Sequence, residues 1–243
     1  MARIQPTYLS IEGNIGSGKS TLLAKLKNAF KNNSKIVFLK EPVDEWEAIQ
    51  DEKGNTMLEK FYGNQKKYSF SFQMMAYISR LATFKKAVKE NPNATIFISE
   101  RSLETDKYVF AQMLFDDKKI EDVNYQIYKK WFDTFAQDFP ISGIIYVKTT
   151  PEICHQRITK RSRDGEGNIP LDYLINCSRY HDSMMSVMSQ SPIIELNGNV
   201  DIYKNTEILQ NWVDDIKSFI YCVEDMSQID TEKLSRLNNL FST

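Results

Sequence analysis

Eight residues near the start, Gly13-Asn14-Ile15-Gly16-Ser17-Gly18-Lys19-Ser20, carry the spacing G-x-x-x-x-G-K-[ST] of a phosphate-binding loop. Glycines let successive backbone N–H groups turn inward toward phosphate oxygens. Lys19 is spaced to reach the outer phosphates and the Ser20 hydroxyl to ligate Mg²⁺. A chain of average composition gives this pattern by chance with odds on the order of 1%. The loop alone serves a kinase, an ATPase motor or a GTPase switch. The Asn-Lys-x-Asp signature by which such switches read guanine does not occur, which disfavours the last.

Further groups fitted for phosphoryl chemistry follow apolar runs. Lys40-Glu41-Pro42-Val43 comes after one, and Glu100-Arg101-Ser102 after another. A carboxylate before proline, at an extended position, suits a base that takes the proton of an attacking hydroxyl; an ion-paired glutamate is the plainer reading of Glu41. Glu100 is available to support Mg²⁺ beside Ser20, and Arg101 to steady a hydroxyl or phosphate, unless the two serve only in structural salt bridges. Thr150-Pro151-Glu152 reads as a helix start. That helix runs into Arg157, Lys160, Arg161 and Arg163, then Asp164-Gly165-Glu166-Gly167. Such a cationic end before a glycine loop suits a lid over about 157–168, or cations complementing a helix C-terminus.

Elements must hold these groups. Tyr8–Ile11, Ile36–Leu39, Ile96–Ser99, Ile144–Lys148 and Ile193–Leu196 read as short strands covered on both faces. They alternate with helical patterns: Leu22, Leu23, Leu26, Ala29 and Phe30; Met74, Tyr77, Ile78, Leu81 and Val88; and Val123, Ile127, Trp131 and Phe135. This α/β alternation predicts a parallel sheet of about five strands flanked by helices, with ligands beyond the carboxyl ends of the strands. Asp51–Asn55 and Arg163–Asn168 read as loops, and about 223–243 as a polar tail in which Leu234, Leu237 and Leu240 allow a last short helix. No internal repeat or linker divides the chain, so 1–243 reads as one domain.

With 31 basic against 32 acidic side chains in 243 residues, gripping nucleic acid or an anionic membrane is not the expected task. No run of 18 apolar residues is present, and Pro6 interrupts the place of a secretory leader. Cys154, Cys177 and Cys222 form no C-x-x-C pair and read as buried thiols. A cytoplasmic enzyme is the expectation.

Together these residues resemble the deoxycytidine/deoxyguanosine kinase branch of the deoxynucleoside kinases. The resemblance runs from Tyr8 to about Phe219, through Gly13–Thr21, Glu41-Pro42-Val43, Phe70-Ser71-Phe72-Gln73, Ser79-Arg80, Glu100-Arg101-Ser102 with Asp106 and Phe110, Arg157 through Arg163, and Ile169-Pro170-Leu171-Asp172-Tyr173. It implies a P-loop kinase fold with an arginine-rich lid, ATP as donor with Mg²⁺, and 5′-phosphorylation of a 2′-deoxynucleoside. By the resemblance, Glu41 is the general base, Arg101 holds the hydroxyl, and Gln73 pairs with the base between Phe72 and Phe110. Leu58 packs on the nucleoside, Tyr62 and Glu166 hold its 3′-hydroxyl, and Arg80 and Asp106 stand deep beside the base. Arg157, Arg161 and Arg163 neutralise phosphate oxygens. Deoxycytidine or a purine deoxynucleoside is expected ahead of thymidine, in a homodimer for which the Val123–Phe135 stripe is an interface or else core. Tyr68, Lys107 and Asn168 depart from the pattern; Lys107 puts a local ion pair beside Asp106 in doubt. His155 and His181 read as structural. The alternatives are a nucleoside-monophosphate kinase resembling thymidylate kinase and a nucleotide-sensing switch.

Overall fold

The computed structural model describes residues 6–161 and 169–240, with side chains described as far as Ile229, Gln228 excepted. Five strands form one parallel sheet: β1 (Thr7–Glu12), β2 (Ile36–Leu39), β3 (Ile96–Glu100), β4 (Ile141–Lys148) and β5 (Ile193–Asn197), in the order β2-β3-β1-β4-β5. The expected strands all occur, each within three residues of its predicted ends. Strand order reverses around β1, so the crevice for a ligand lies past its carboxyl end.

Alternation along the strands sorts the core into two layers. Tyr8, Phe97, Ile144 and Tyr146 face one side, against Tyr77 and Phe84 of α4 (Gln65–Glu90) and Tyr128 and Phe132 of α7 (Asp122–Phe135). Leu9, Ile11, Ile98, Ile145 and Val147 face the other, against Leu22, Leu23 and Leu26 of α1 (Lys19–Ala29) and Ile216, Ile220 and Val223 of α10 (Thr206–Leu240).

Three details depart from the sequence reading. On α7 the buried side is Tyr125, Tyr128 and Phe132, while Val123, Ile127 and Trp131 are exposed, as is Ile78 on α4. Three of the stripe's four residues therefore face outward, and Phe135 is half-buried against the core. The chain beyond Cys222 continues α10 to Leu240 instead of beginning a separate short helix; no glycine or proline interrupts residues 206–240. Cys154 and Cys177 are buried, but Cys222 is exposed.

Shorter elements shape the crevice. They are α2 (Val43–Ala48), α3 (Met57–Gly63), α5 (Leu103–Thr105), a π-helical turn Asp106–Ala111, α6 (Gln112–Asp116), α8 (Pro151–Arg161) and α9 (Leu171–Val187). A capping box between Thr56 and Glu59 starts α3. Nothing in the sequence announced the π turn, a rare device that re-aims side chains.

Candidate active site

The loop after β1 is a cradle only because its glycines permit one. Gly13 and Gly16 have φ of 142° and 79°. A β-carbon on them would lie 2.5 Å from the Val147 carbonyl oxygen and 2.6 Å from that of Cys154, so no other residue fits. Asn14 staples the loop, its amide donating to the Leu174 carbonyl (2.8 Å) and its Oδ1 accepting from the Ile15 N–H (2.8 Å). Lys19 donates to the Asn14 carbonyl at 2.7 Å. Burial and the Arg101 cation bring its pKa down to about 8. Ser20 donates to Glu100 Oε1 at 2.6 Å, bringing together the two oxygens read as a Mg²⁺ site.

Strand register explains the opposite wall. Leu39 of β2 pairs with Ser99 of β3, so Glu41 and Arg101, each two residues further on, leave the sheet edge together. Arg101 adopts a left-handed backbone, φ 63°, with its N–H on the Ile11 carbonyl (3.0 Å). Such strain in a non-glycine residue gathers at functional sites. Its Nη1 donates to Glu41 Oε1 at 2.6 Å, and Arg80 Nη2 donates to the same oxygen at 3.0 Å. Burial favours the neutral acid, yet the Arg101, Arg80 and Lys19 cations outweigh it and hold Glu41 well below the usual carboxylate range. Glu41 is therefore ion-paired, and it lines the same cavity as the cradle.

Arg80 also grips Asp106, with Nε to Oδ2 at 2.9 Å and Nη2 to Oδ1 at 3.3 Å. Gln73 lies two turns before Arg80 on α4; its Oε1 is buried with no partner among the described residues. Buried polar atoms are normally paired, so this one marks a place where a partner can be added. Phe72 shares one face with Phe61, centroids 4.4 Å apart and planes 13° apart, and meets the edge of Trp46. Phe110 carries the Arg101 guanidinium over its ring at 5.2 Å.

All these groups line one cavity of about 770 Å³, within the range of small-molecule sites. It gathers the residues Ile15–Thr21 of the loop with Glu41, Leu58, Tyr62, Phe72, Gln73, Arg80, Glu100, Arg101, Asp106, Phe110, Arg157 and Arg161. Gly13 and Asn14 shape the loop from behind. Arg163 and Glu166, and the expected loop at 163–168, lie outside the described residues. Lys107 pairs with Asp133 of α7 at 3.0 Å, and Asp106 pairs with Arg80. His181 is fully buried, bonded to the Cys177 carbonyl at 2.8 Å. Burial and the cations Arg101 and Lys19 hold it neutral, its pKa lowered to about 3.

Sequence reasoning missed two groups of lining residues. Trp46 and Phe61 deepen the end near Gln73, and Asn199–Tyr203 with Trp212 wall the end near Arg157. Arg157 joins that end to the cradle, donating to the carbonyls of Ser17 (3.1 Å) and Val200 (3.2 Å). Phe61 stands three residues after Leu58, a spacing that placed it on the same helical face; the stretch 199–203 carried no signal.

A family model described as deoxynucleoside kinase matches residues 9–221. A protein of fowlpox virus (strain NVSL) named as a probable deoxycytidine kinase is 34% identical over 219 residues, covering 87% of each chain. Human deoxycytidine kinase is 32% identical over 241 residues, with 87% of this chain and 90% of that one covered. The mitochondrial deoxyguanosine kinase of Xenopus laevis is 29% identical over 245 residues, covering 89% and 91%.

Proposed function

This chain belongs to the deoxynucleoside kinase family and is an ATP-dependent phosphotransferase; from that premise we propose how its residues divide the work. The acceptor is the 5′-hydroxyl of a 2′-deoxynucleoside, seated between Phe72 and Phe110 with its base edge on Gln73. Glu41 Oε2 takes the hydroxyl proton as the oxygen attacks the γ-phosphorus of ATP. Arg101 steadies that oxygen, and Tyr62, with Glu166, holds the sugar's 3′-hydroxyl. Lys19, Arg157, Arg161 and Arg163 take up charge on the transferred group, since phosphoryl transfer rests on placement and electrostatics. Ser20 and Glu100 are adjacent hard oxygens that would hold Mg²⁺. Held there, the ion would supply neutralisation of charge on the transferred phosphate. Among the described residues no group of three or more His, Cys, Asp or Glu is placed to hold a metal alone.

The observation that carries this reading is the Glu41 carboxylate, clamped by Arg101 and Arg80 across one cavity from the phosphate cradle. Glu41→Gln is expected to keep deoxynucleoside affinity within about threefold by calorimetry while turnover falls about 10²–10⁴-fold. Unchanged turnover removes Glu41 from the role of base.

Asp106 supports a preference for bases with an exocyclic amino group, which cytosine, adenine and guanine have and thymine lacks; deoxycytidine and purine deoxynucleosides come ahead of thymidine. The outward stripe of Val123, Ile127 and Trp131, together with the exposed Ile78 of α4, supports a homodimer. Among the described residues no helix is long and apolar enough to cross a membrane.

A further inference from the structure

Arg80 does more than stand beside the base end. All three nitrogens of its guanidinium are engaged: Nε and Nη2 on Asp106, Nη1 on the Glu100 carbonyl at 2.8 Å, and Nη2 also on Glu41. Its side chain is 3% exposed, against 2% for Asp106 and 12% for Glu41. The four groups arrive from four places in the chain: α4, the turn after β2, the end of β3 and the π-helical turn. A planar fork held in three directions has no rotamer freedom left to spend. Buried networks of this kind are costly unless fully satisfied, and their members depend on one another.

The geometry at Glu41 shows what the extra contact does. Arg80 and Arg101 both donate to Oε1, which fixes the carboxylate plane and leaves Oε2 to accept from a hydroxyl. Arg101 alone, through one nitrogen, would leave that plane free to turn. We propose that Arg80 is a positioning residue for the reaction: it ties the aim of Glu41 to Asp106, so that a base seated against Asp106 also sets the carboxylate toward the acceptor hydroxyl. The inference rests on the reading of Glu41 and Asp106 as contacts of one bound deoxynucleoside. It adds that recognition at one end and proton acceptance at the other are a single mechanical unit, joined by one side chain.

The test is a double-mutant cycle in deoxycytidine affinity, measured by calorimetry on Glu41→Gln, Asp106→Asn and the double variant, with thermal melts confirming the fold. Residues that share no partner give additive effects, whereas members of one network do not. The double variant is expected to deviate from the product of the single effects by about fivefold or more. The same cycle in an Arg80→Lys background, where the side chain cannot fork, should be additive. Additivity within about twofold in the native background, or coupling that survives Arg80→Lys, overturns the proposal. A merely structural Arg80 would move all affinities together and leave the cycle closed. A crystal structure of the unmodified protein with deoxycytidine needs no variant: Arg80 should keep both Asp106 and Glu41 within hydrogen-bond distance, and release of Glu41 contradicts the claim. If the unmodified protein binds no deoxynucleoside, it is the underlying reading that fails.

Discussion

The two ends of the cavity are built on opposite electrostatic plans. At the acceptor end two carboxylates, Glu41 and Asp106, alternate with two guanidiniums in one chain of ion pairs, Arg101–Glu41–Arg80–Asp106, largely excluded from water. At the donor end Lys19, Arg157, Lys160 and Arg161 stand against Glu100 and Asp201, and Lys19 and Arg157 donate to backbone carbonyls. The first end cancels its own charge before any ligand arrives. The second keeps surplus positive charge and N–H groups for a polyanion to complete. This division argues against a monophosphate acceptor, which would bring two negative charges to an end with no spare cation. It also argues against a simple nucleotide switch, which has no use for a neutral, aromatic-lined slot.

The comparison can be broken most severely at the donor end. Lys19→Ala is expected to lower kcat/KM for ATP by about 10²–10³ while deoxynucleoside affinity, read by calorimetry, stays within about threefold. An equal loss at both ends would mean that the cavity does not divide as described. At the acceptor end, replacing Arg80 by Met and Asp106 by Ala removes one charge of each sign and keeps the balance. Thymidine use relative to deoxycytidine, measured as the ratio of kcat/KM values, should rise by about tenfold or more. A flat profile detaches the pair from base choice.

A smaller effect comes from pH. Lys19, lowered to about 8 by burial and by Arg101, is charged below that value and neutral above it in the free protein. Hence kcat/KM for ATP should fall about tenfold per pH unit well above pH 8, whereas kcat at saturating ATP should hold. A flat kcat/KM between pH 7 and 9.5 contradicts this.

The smallest effect concerns α5, just before the turn that carries Asp106. Glu104 precedes the Thr105–Glu12 hydrogen bond (2.5 Å). Burial, with Glu12 and Asp106 nearby, pushes its pKa up to about 7. Its folded-state pKa lies above the unfolded one, so the stability it contributes is complete below about pH 4.5 and lost as pH rises through 7, up to about 3 kcal/mol. Thermal melts should therefore fall between pH 5.5 and 8.5, and Glu104→Gln should flatten that fall. An unchanged slope assigns the titration to other groups.

The contrast between the ends also explains what the sequence disclosed. The cradle was legible because its chemistry is local: Gly13 to Ser20 are consecutive, and the β-carbon clash at Gly13 with the positive φ of Gly18 (104°) restates the motif's two glycines in space. The strands were legible because burial on both faces demands unbroken runs such as Ile96 to Ser99. The acceptor end is assembled from residues 41, 73, 80, 101 and 106, and composition and spacing set none of their distances. Family resemblance named most of them. The bond between Arg80 and Glu41, the Phe61–Phe72 stack and the π turn that carries Asp106 and Phe110 are products of tertiary packing alone. The α7 stripe left interface and core open for a related reason: periodicity finds an apolar face but not what lies opposite, and here the core took Tyr125, Tyr128 and Phe132.

The most direct trial of the charge-balanced acceptor end is to offer the protein deoxycytidine and deoxycytidine 5′-monophosphate side by side, with γ-labelled Mg-ATP, and to separate the products. The label should appear in deoxycytidine 5′-monophosphate formed from the nucleoside, with none in the diphosphate. Label confined to the diphosphate, or to inorganic phosphate, would contradict the account.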